Sequence, residues 1–160
     1  MKKGRGSMVS ENNIRKAQEK DLSRIAEITV FVKRIQYRPI FQDDNYSFNK
    51  MQVITEAEKY AEQLDDIWVY DDGIVKGMIH IEDKEIVELY VDHFFQDQYI
   101  GSKLIEFAKE RFNVEFLWAM EKNINAIRFY RKHGFEPGSE RKLVEDTAEY
   151  VVKMVRNDVS

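Results

Sequence analysis

Residues 85–112 read EIVELYVDHFFQDQYIGSKLIEFAKERF, and the change of period within this stretch decides the fold. Ile86-Val87-Glu88-Leu89-Tyr90-Val91 is short, apolar and β-branched, as expected of a strand buried on both faces. Apolar residues then recur at Ile100, Leu104, Ile105, Ala108 and Phe112 with charged residues between them, which predicts an amphipathic helix. Asp92 to Tyr99 between the two is a polar and aromatic turn that runs into Gly101. A strand entering a helix through a tight turn leaves the helix's first N–H groups unpaired and pointing one way. Such a terminus is a ready seat for an anion, most often a phosphate. An ordinary strand-to-helix connection would read the same way at this level.

The 160 residues suffice for one domain with a substantial core. Hydrophobic residues at 43% and charged residues at 34% are those of a soluble globular chain rather than a disordered or membrane-spanning one. Cysteine is absent, which excludes disulfides, thiolate metal sites and a covalent acyl-cysteine intermediate. No apolar run approaches the roughly 18 residues of a membrane span, and a signal-peptide core is missing from the N-terminus. A cytoplasmic location without a membrane partner is therefore expected. The net charge of −4 argues against a general nucleic-acid binder.

Working outward, residues 1–12 are polar and aperiodic and read as a flexible tail, with Gly4-Arg5-Gly6-Ser7 resembling an expression remnant. Asn13 to Ala17 suits a short strand. Asp21 is a candidate N-cap for a helix striped by Leu22, Ile25, Ile28 and Val32, although the β-branched run 28–32 also suits a strand. Arg38-Pro39 should end that element. Phe48, Met51, Ile54, Ala61 and Leu64 mark a second helix, with Glu56, Glu58, Lys59 and Glu62 on a solvated face. Ile67–Tyr70 and Ile74–Ile81 read as a hairpin around Asp71-Asp72-Gly73, with Gly77 marking a bulge or close packing. Beyond Phe112 follow a strand at Glu115–Met120, a helix from Asn123 to His133 stopped by Gly134, and a closing hairpin of Phe135–Lys142 with Ala148–Val155. The order predicts a single α/β domain over 13–160, a mixed and mostly antiparallel central sheet with helices on both faces.

Two segments carry a more specific likeness. Leu89-Tyr90-Val91 followed by Gln96-Asp97-Gln98-Tyr99-Ile100-Gly101 resembles the acyl-CoA signature Q/R-x-x-G-x-G/A of the GNAT N-acetyltransferase superfamily. Asn123 to Phe135, NINAIRFYRKHGF, resembles that superfamily's second motif, N-x-x-A-x-x-F-Y-x-x-x-G-F. The element order over 13–156 is similar as well. The resemblance implies the acyl-CoA N-acyltransferase fold, acetyl-CoA as co-substrate and an amine acceptor, either a small molecule or a peptide; a homodimer is compatible with it. One position departs from the pattern. Tyr99 stands where the signature's first glycine is expected, so its backbone N–H remains available but its side chain must point away from a pyrophosphate.

On this resemblance the pyrophosphate would sit on the N–H groups of Gln98, Tyr99, Ile100, Gly101, Ser102 and Lys103, with Gln96 opening the turn. The pantetheine arm would pair with backbone at Leu89 and Val91, as an added strand does. Lys103, Arg128, Arg131 and Lys132 offer positive charge near the nucleotide or are simply solvated. Tyr130 holds the place of the general acid that protonates the departing thiolate, or else packs on the sheet. Asn123 either binds cofactor or caps its helix. The N–H of Val91 is the expected oxyanion donor.

The general base is less determined. Glu88 and Tyr90 share one strand face, and Glu85 is expected on the other. Glu88 is the first candidate, acting through water, with Glu85, His80 and His93 behind it. The three histidines are too scattered to predict a metal cluster, and no metal is expected. Three readings follow: an acetyl-CoA-dependent N-acetyltransferase working by direct ternary-complex transfer, a catalytically silent acyl-CoA-binding or regulatory module, and an interaction domain that echoes the motifs. Val30–Ser47 and Ser139–Ala148 are the expected walls of an acceptor pocket.

Overall fold

The computed structural model describes residues 13–157; the tail expected over 1–12 lies outside them. In chain order the elements are β1 (Ile14–Lys16), α1 (Leu22–Phe41), α2 (Val53–Ala61), β2 (Ile67–Asp71), β3 (Val75–Glu82), β4 (Glu85–Val91), α3 (Ile100–Phe112), β5 (Phe116–Met120), α4 (Ile124–Lys132), β6 (Phe135–Leu143) and β7 (Tyr150–Arg156). The strands form one sheet in the order β1-β2-β3-β4-β5-β7-β6. Every pairing is antiparallel except β4 with β5. The architecture is the mixed, mostly antiparallel sheet that the sequence predicts.

Two apolar layers hold it. Ile25, Ile28 and Val32 of α1 and Tyr60 of α2 pack with Ile67, Val69 and Met78 on one face. Ile100, Leu104, Ile105 and Ala108 of α3 pack with Ile79, Ile86, Leu117, Phe135 and Met154 on the other. Gly77 belongs to the second layer: a Cβ there would meet Ile100 Cγ2 and Leu104 Cδ1, each at 3.1 Å. Both of its sequence readings are realised, since β3 also bulges beside it: Tyr70 pairs with Gly77 but Asp71 with Val75, leaving Lys76 as the extra residue.

Several local expectations are corrected. Asp21 holds the N-cap position of α1 but its side chain makes no cap bond; its carboxylate takes the Gln18 N–H at 2.8 Å and the Arg15 guanidinium at 2.8 and 3.0 Å, tying β1 to the start of the helix. Helix α1 runs through Pro39 to Phe41, because the proline sits exposed in the last turn, where a missing N–H disrupts little. Gln42 ends it in the left-handed region at φ 53°. The second helix is shorter than its apolar spacing suggested, since Asn45–Lys50 forms a π-helical turn before α2 begins. Glu56 is buried rather than solvated, with Lys59 Nζ 3.5 Å from its carboxylate.

A β-bulge in β4 matters most for the site. His80 pairs with Glu88 but Ile81 pairs with Ile86, so Val87 is the extra residue on β4. The bulge reverses the side-chain alternation, as a one-residue slip does. Glu85, opposite Glu82, therefore shares the face of Glu88 rather than lying on the other.

Candidate active site

Beyond the bulge the sheet opens. β4 pairs with β5 only at Glu85–Phe116 and Ile86–Leu117, and the strands then diverge around a cleft of about 580 Å³. Asp92 donates its N–H to the Lys76 carbonyl of β3 at 2.9 Å. Strand alternation then turns the peptide groups of Tyr90 and Glu88 toward β3, and those of Leu89 and Val91 toward the open side. The Val91 carbonyl already accepts the Gln96 side-chain amide there, at 3.2 Å. The wedge thus exposes a row of strand donors and acceptors to whatever fills the cleft.

At its mouth the cleft meets the start of α3. The first intrahelical bond closes from the Lys103 N–H to the Tyr99 carbonyl at 3.0 Å, so the N–H groups of Ile100, Gly101 and Ser102 precede the ladder. No side chain caps this end and no acidic residue occupies the first turn. Tyr99 is held at φ 65° with its ring 76% exposed, so the residue that replaces the expected glycine takes up the glycine's conformation and turns its bulk outward. Gly101 marks a tight helix–helix approach: a Cβ there would lie 3.3 Å from the Phe129 ring of α4.

Tyr130 lines the cleft from α4, its ring edge-on to Phe129 at 5.3 Å. Burial, then the neighbouring Tyr37, pushes its hydroxyl well above the ordinary tyrosine range. Glu88 faces the cleft from β4 with both oxygens engaged. Oε1 accepts the Tyr60 hydroxyl at 2.7 Å, and Oε2 lies 3.5 Å from Lys33 Nζ. Burial works most strongly against the charge on Lys33, but attraction to Glu88, together with smaller contributions from Tyr46, Tyr37 and Glu56, outweighs it, and the ammonium is held above its ordinary range. Tyr60 also shares a hydrogen bond with Thr29 at 3.0 Å, so the carboxylate ends a polar chain running into α1.

The central segment, residues 63–137, matches the family described as acetyltransferase (GNAT) domain. This segment, just under half of the chain, is similar to a GNAT domain. The fold of the chain is that of the GNAT N-acetyltransferases. The PaiA N-acetyltransferase of Thermoplasma acidophilum, solved with coenzyme A, is similar at TM-score 0.64 and 21% identity over 89% of this chain and 97% of that one. YjaB of Escherichia coli, in its apo form, is similar at TM-score 0.70 and 17% identity over 91% and 97%. The Salmonella typhimurium protein yncA, solved with its cofactor acetyl-CoA, is similar at TM-score 0.62 and 17% identity over 92% and 94%. At such identities the likeness is one of fold.

In this fold most of the residues singled out from sequence meet at the one cleft. Glu88, Leu89, Val91, Gln96, Tyr99, Ile100, Gly101, Ser102, Asn123 and Tyr130 all line it. Gln98 and Lys103 do not, and Lys103 Nζ lies over the Tyr70 ring, 5.5 Å from its centroid. Asn123 caps α4 by accepting the Ala126 N–H and donates to Gln36 Oε1 of α1, both at 3.2 Å. Capping is thus the observed one of its two roles. Lys132 faces the cleft, whereas Arg131 pairs with Glu136 at 3.2 Å.

Neither His80 nor His93 lines the cleft. His80 is buried, its Nε2 2.9 Å from Glu82 Oε2, and with Asp66 forms a group whose ligand atoms lie within 4.8 Å of one another. Histidine spacing alone could not anticipate that group, since carboxylates from two other positions complete it. Both carboxylates are exposed, and exposed acids meet commonly without an ion. Sequence reasoning also missed Lys33, Gln36 and Trp118. Each falls at an unremarkable position of a helix or strand and acquires its place only through tertiary packing.

Proposed function

We propose that the protein is an acetyl-CoA-dependent N-acetyltransferase that passes an acetyl group directly to a primary amine within a ternary complex. The observation that carries this reading is the continuous path along the cleft, from outward peptide groups at Leu89 and Val91 to the uncapped N-terminus of α3. An amide-bearing arm fits the first, and a pyrophosphate fits the second. When bound, acetyl-CoA supplies an activated thioester whose carbonyl the amine attacks and whose thiolate leaves. The Val91 N–H is placed to take the negative charge developing on the carbonyl oxygen. Tyr130, kept protonated by its surroundings, donates to the departing sulfur. Glu88, fixed in place by Lys33 and Tyr60, receives the proton that the amine sheds, through water. The chain contains no cysteine to carry an acyl group between half-reactions, which favours direct transfer. We place the protein in the cytoplasm, with a small-molecule or peptide amine as acceptor.

The alternative is a silent acyl-CoA-binding module, favoured only by Tyr99 in place of glycine. A panel of amines, amino acids and N-terminal peptides incubated with acetyl-CoA and a thiol reagent separates the two. Amine-dependent release of CoA is expected. Tight acetyl-CoA binding with no release from any amine would leave the silent module, and absence of binding would remove both.

A further inference from the structure

Ser102, His133 and Glu106 form a relay that the transfer chemistry does not use. Ser102 Oγ lies 3.0 Å from His133 Nε2, and His133 Nδ1 lies 2.9 Å from Glu106 Oε2. Ser102 and Glu106 are one turn apart on α3, so they share a face. His133 closes α4 and reaches back across the helix pair with its side chain only 12% exposed. Lys109 of α3 fixes the arrangement, donating to Glu106 at 3.3 Å and to the His133 carbonyl at 2.9 Å. The Phe129 ring packs on the imidazole at 4.8 Å. Burial raises the Glu106 carboxyl, but hydrogen bonds from His133 and Lys109 outweigh it and hold the group below its usual range.

These contacts dictate what Ser102 can do. Ionised Glu106 accepts only, so Nδ1 carries a proton. With neutral imidazole, Nε2 is an acceptor and takes the Ser102 hydroxyl proton, which leaves serine lone pairs at the N-terminus of α3. With imidazolium, Nε2–H donates to Oγ and frees the hydroxyl proton for an oxyanion. Ser102 lines the cleft, so that freed proton is available there. We propose that His133 and Glu106 are positioning residues that couple binding of a pyrophosphate at the α3 N-terminus to uptake of one proton by His133. The inference rests on the reading of that terminus as the pyrophosphate's seat. Charged neighbours on each element packed against the imidazole are accounted for: Glu106 and Lys109 on α3, and on α4 Arg131, turned to Glu136, and Lys132, turned to the cleft. On the β7 side, Asn157 contributes a neutral group that donates its N–H to the Gly134 carbonyl at 3.0 Å.

Dephospho-CoA is the probe, because it keeps the pyrophosphate but lacks the 3′-phosphate that titrates near neutrality. Calorimetry near neutral pH, in buffers of different ionisation enthalpy, reads the proton directly. Wild-type protein is expected to take up a proton on binding and to lose about tenfold in affinity from mildly acidic to mildly basic pH, the scale of one charge-assisted hydrogen bond. His133→Gln should bind without proton uptake and with a flatter pH profile. Ser102→Ala, which removes a single oxygen, should lose the uptake too and guards against a folding defect in the first variant. Binding by wild type with no buffer dependence, or the same uptake in His133→Gln, overturns the relay. No binding of dephospho-CoA or CoA at any pH overturns the pyrophosphate seat and the relay with it.

Discussion

Tyr130 is the residue at which chemistry and packing separate most cleanly. Tyr130→Phe removes one oxygen and keeps the ring against Phe129, so stability should change little. If the hydroxyl protonates the thiolate, turnover should drop about 10²-fold while acetyl-CoA affinity holds, as for a group that acts only in the transition state. The deficit should narrow with an acyl donor of lower thiol pKa. A folded variant with normal turnover would make Tyr130 a packing residue. Tyr130 was legible in sequence because a long motif surrounds it. Lys33 was not, since nothing local distinguishes it from the other polar residues of α1. Its pairing with Glu88 exists only once α1 lies on the sheet. The same holds for His133, whose sequence neighbours say nothing of Ser102 or Glu106.

At the scale of elements, the turn from β4 into α3 combines a readable feature with an unreadable one. The change from strand to helical period fixed both flanking elements, and they lie where the spacing predicts. The bulge at Val87 left no trace, because an inserted apolar residue looks like any other residue of a buried strand. The face of Glu85 was misjudged for that reason. Tyr99 offers a test of the turn itself. Its left-handed backbone costs a non-glycine residue on the order of 1 kcal/mol, and its exposed ring contributes little packing. Tyr99→Gly should therefore leave stability unchanged or raise it by up to about 1 kcal/mol, the relief of strain being partly offset by glycine's greater unfolded freedom. Acetyl-CoA binding should hold or tighten. Urea unfolding together with a cofactor titration checks both. A destabilised variant with unchanged affinity would show that the ring is a structural contact rather than an obstacle at the mouth of the cleft.

Across the whole molecule, the sheet is nearly two sheets. β1 to β4, covered by α1 and α2, meet β5, β7 and β6 through only two residue pairs and the apolar layer beneath α3 and α4. A ligand lying along the outward edge of β4 would supply hydrogen bonds that β5 withholds and would join the two parts. Cofactor binding should then act as sheet completion. At a hundred times its dissociation constant, CoA is expected to add about 2.7 kcal/mol to stability. For a domain of this size, that is a rise in Tm of roughly 5–10 °C. Amide exchange followed by NMR locates the effect. In the free protein the N–H groups of Leu89 and Val91 face the open cleft, and those of Ile100, Gly101 and Ser102 precede the helical ladder. All five should exchange readily when free and become protected together when CoA is added. The amides of Tyr90 and Glu88, turned toward β3, should start protected and change far less. A rise in Tm with protection confined to the α3 amides would mean that only the pyrophosphate is held and that the pantetheine arm takes another route. A rise with neither set protected would place the ligand outside the wedge altogether.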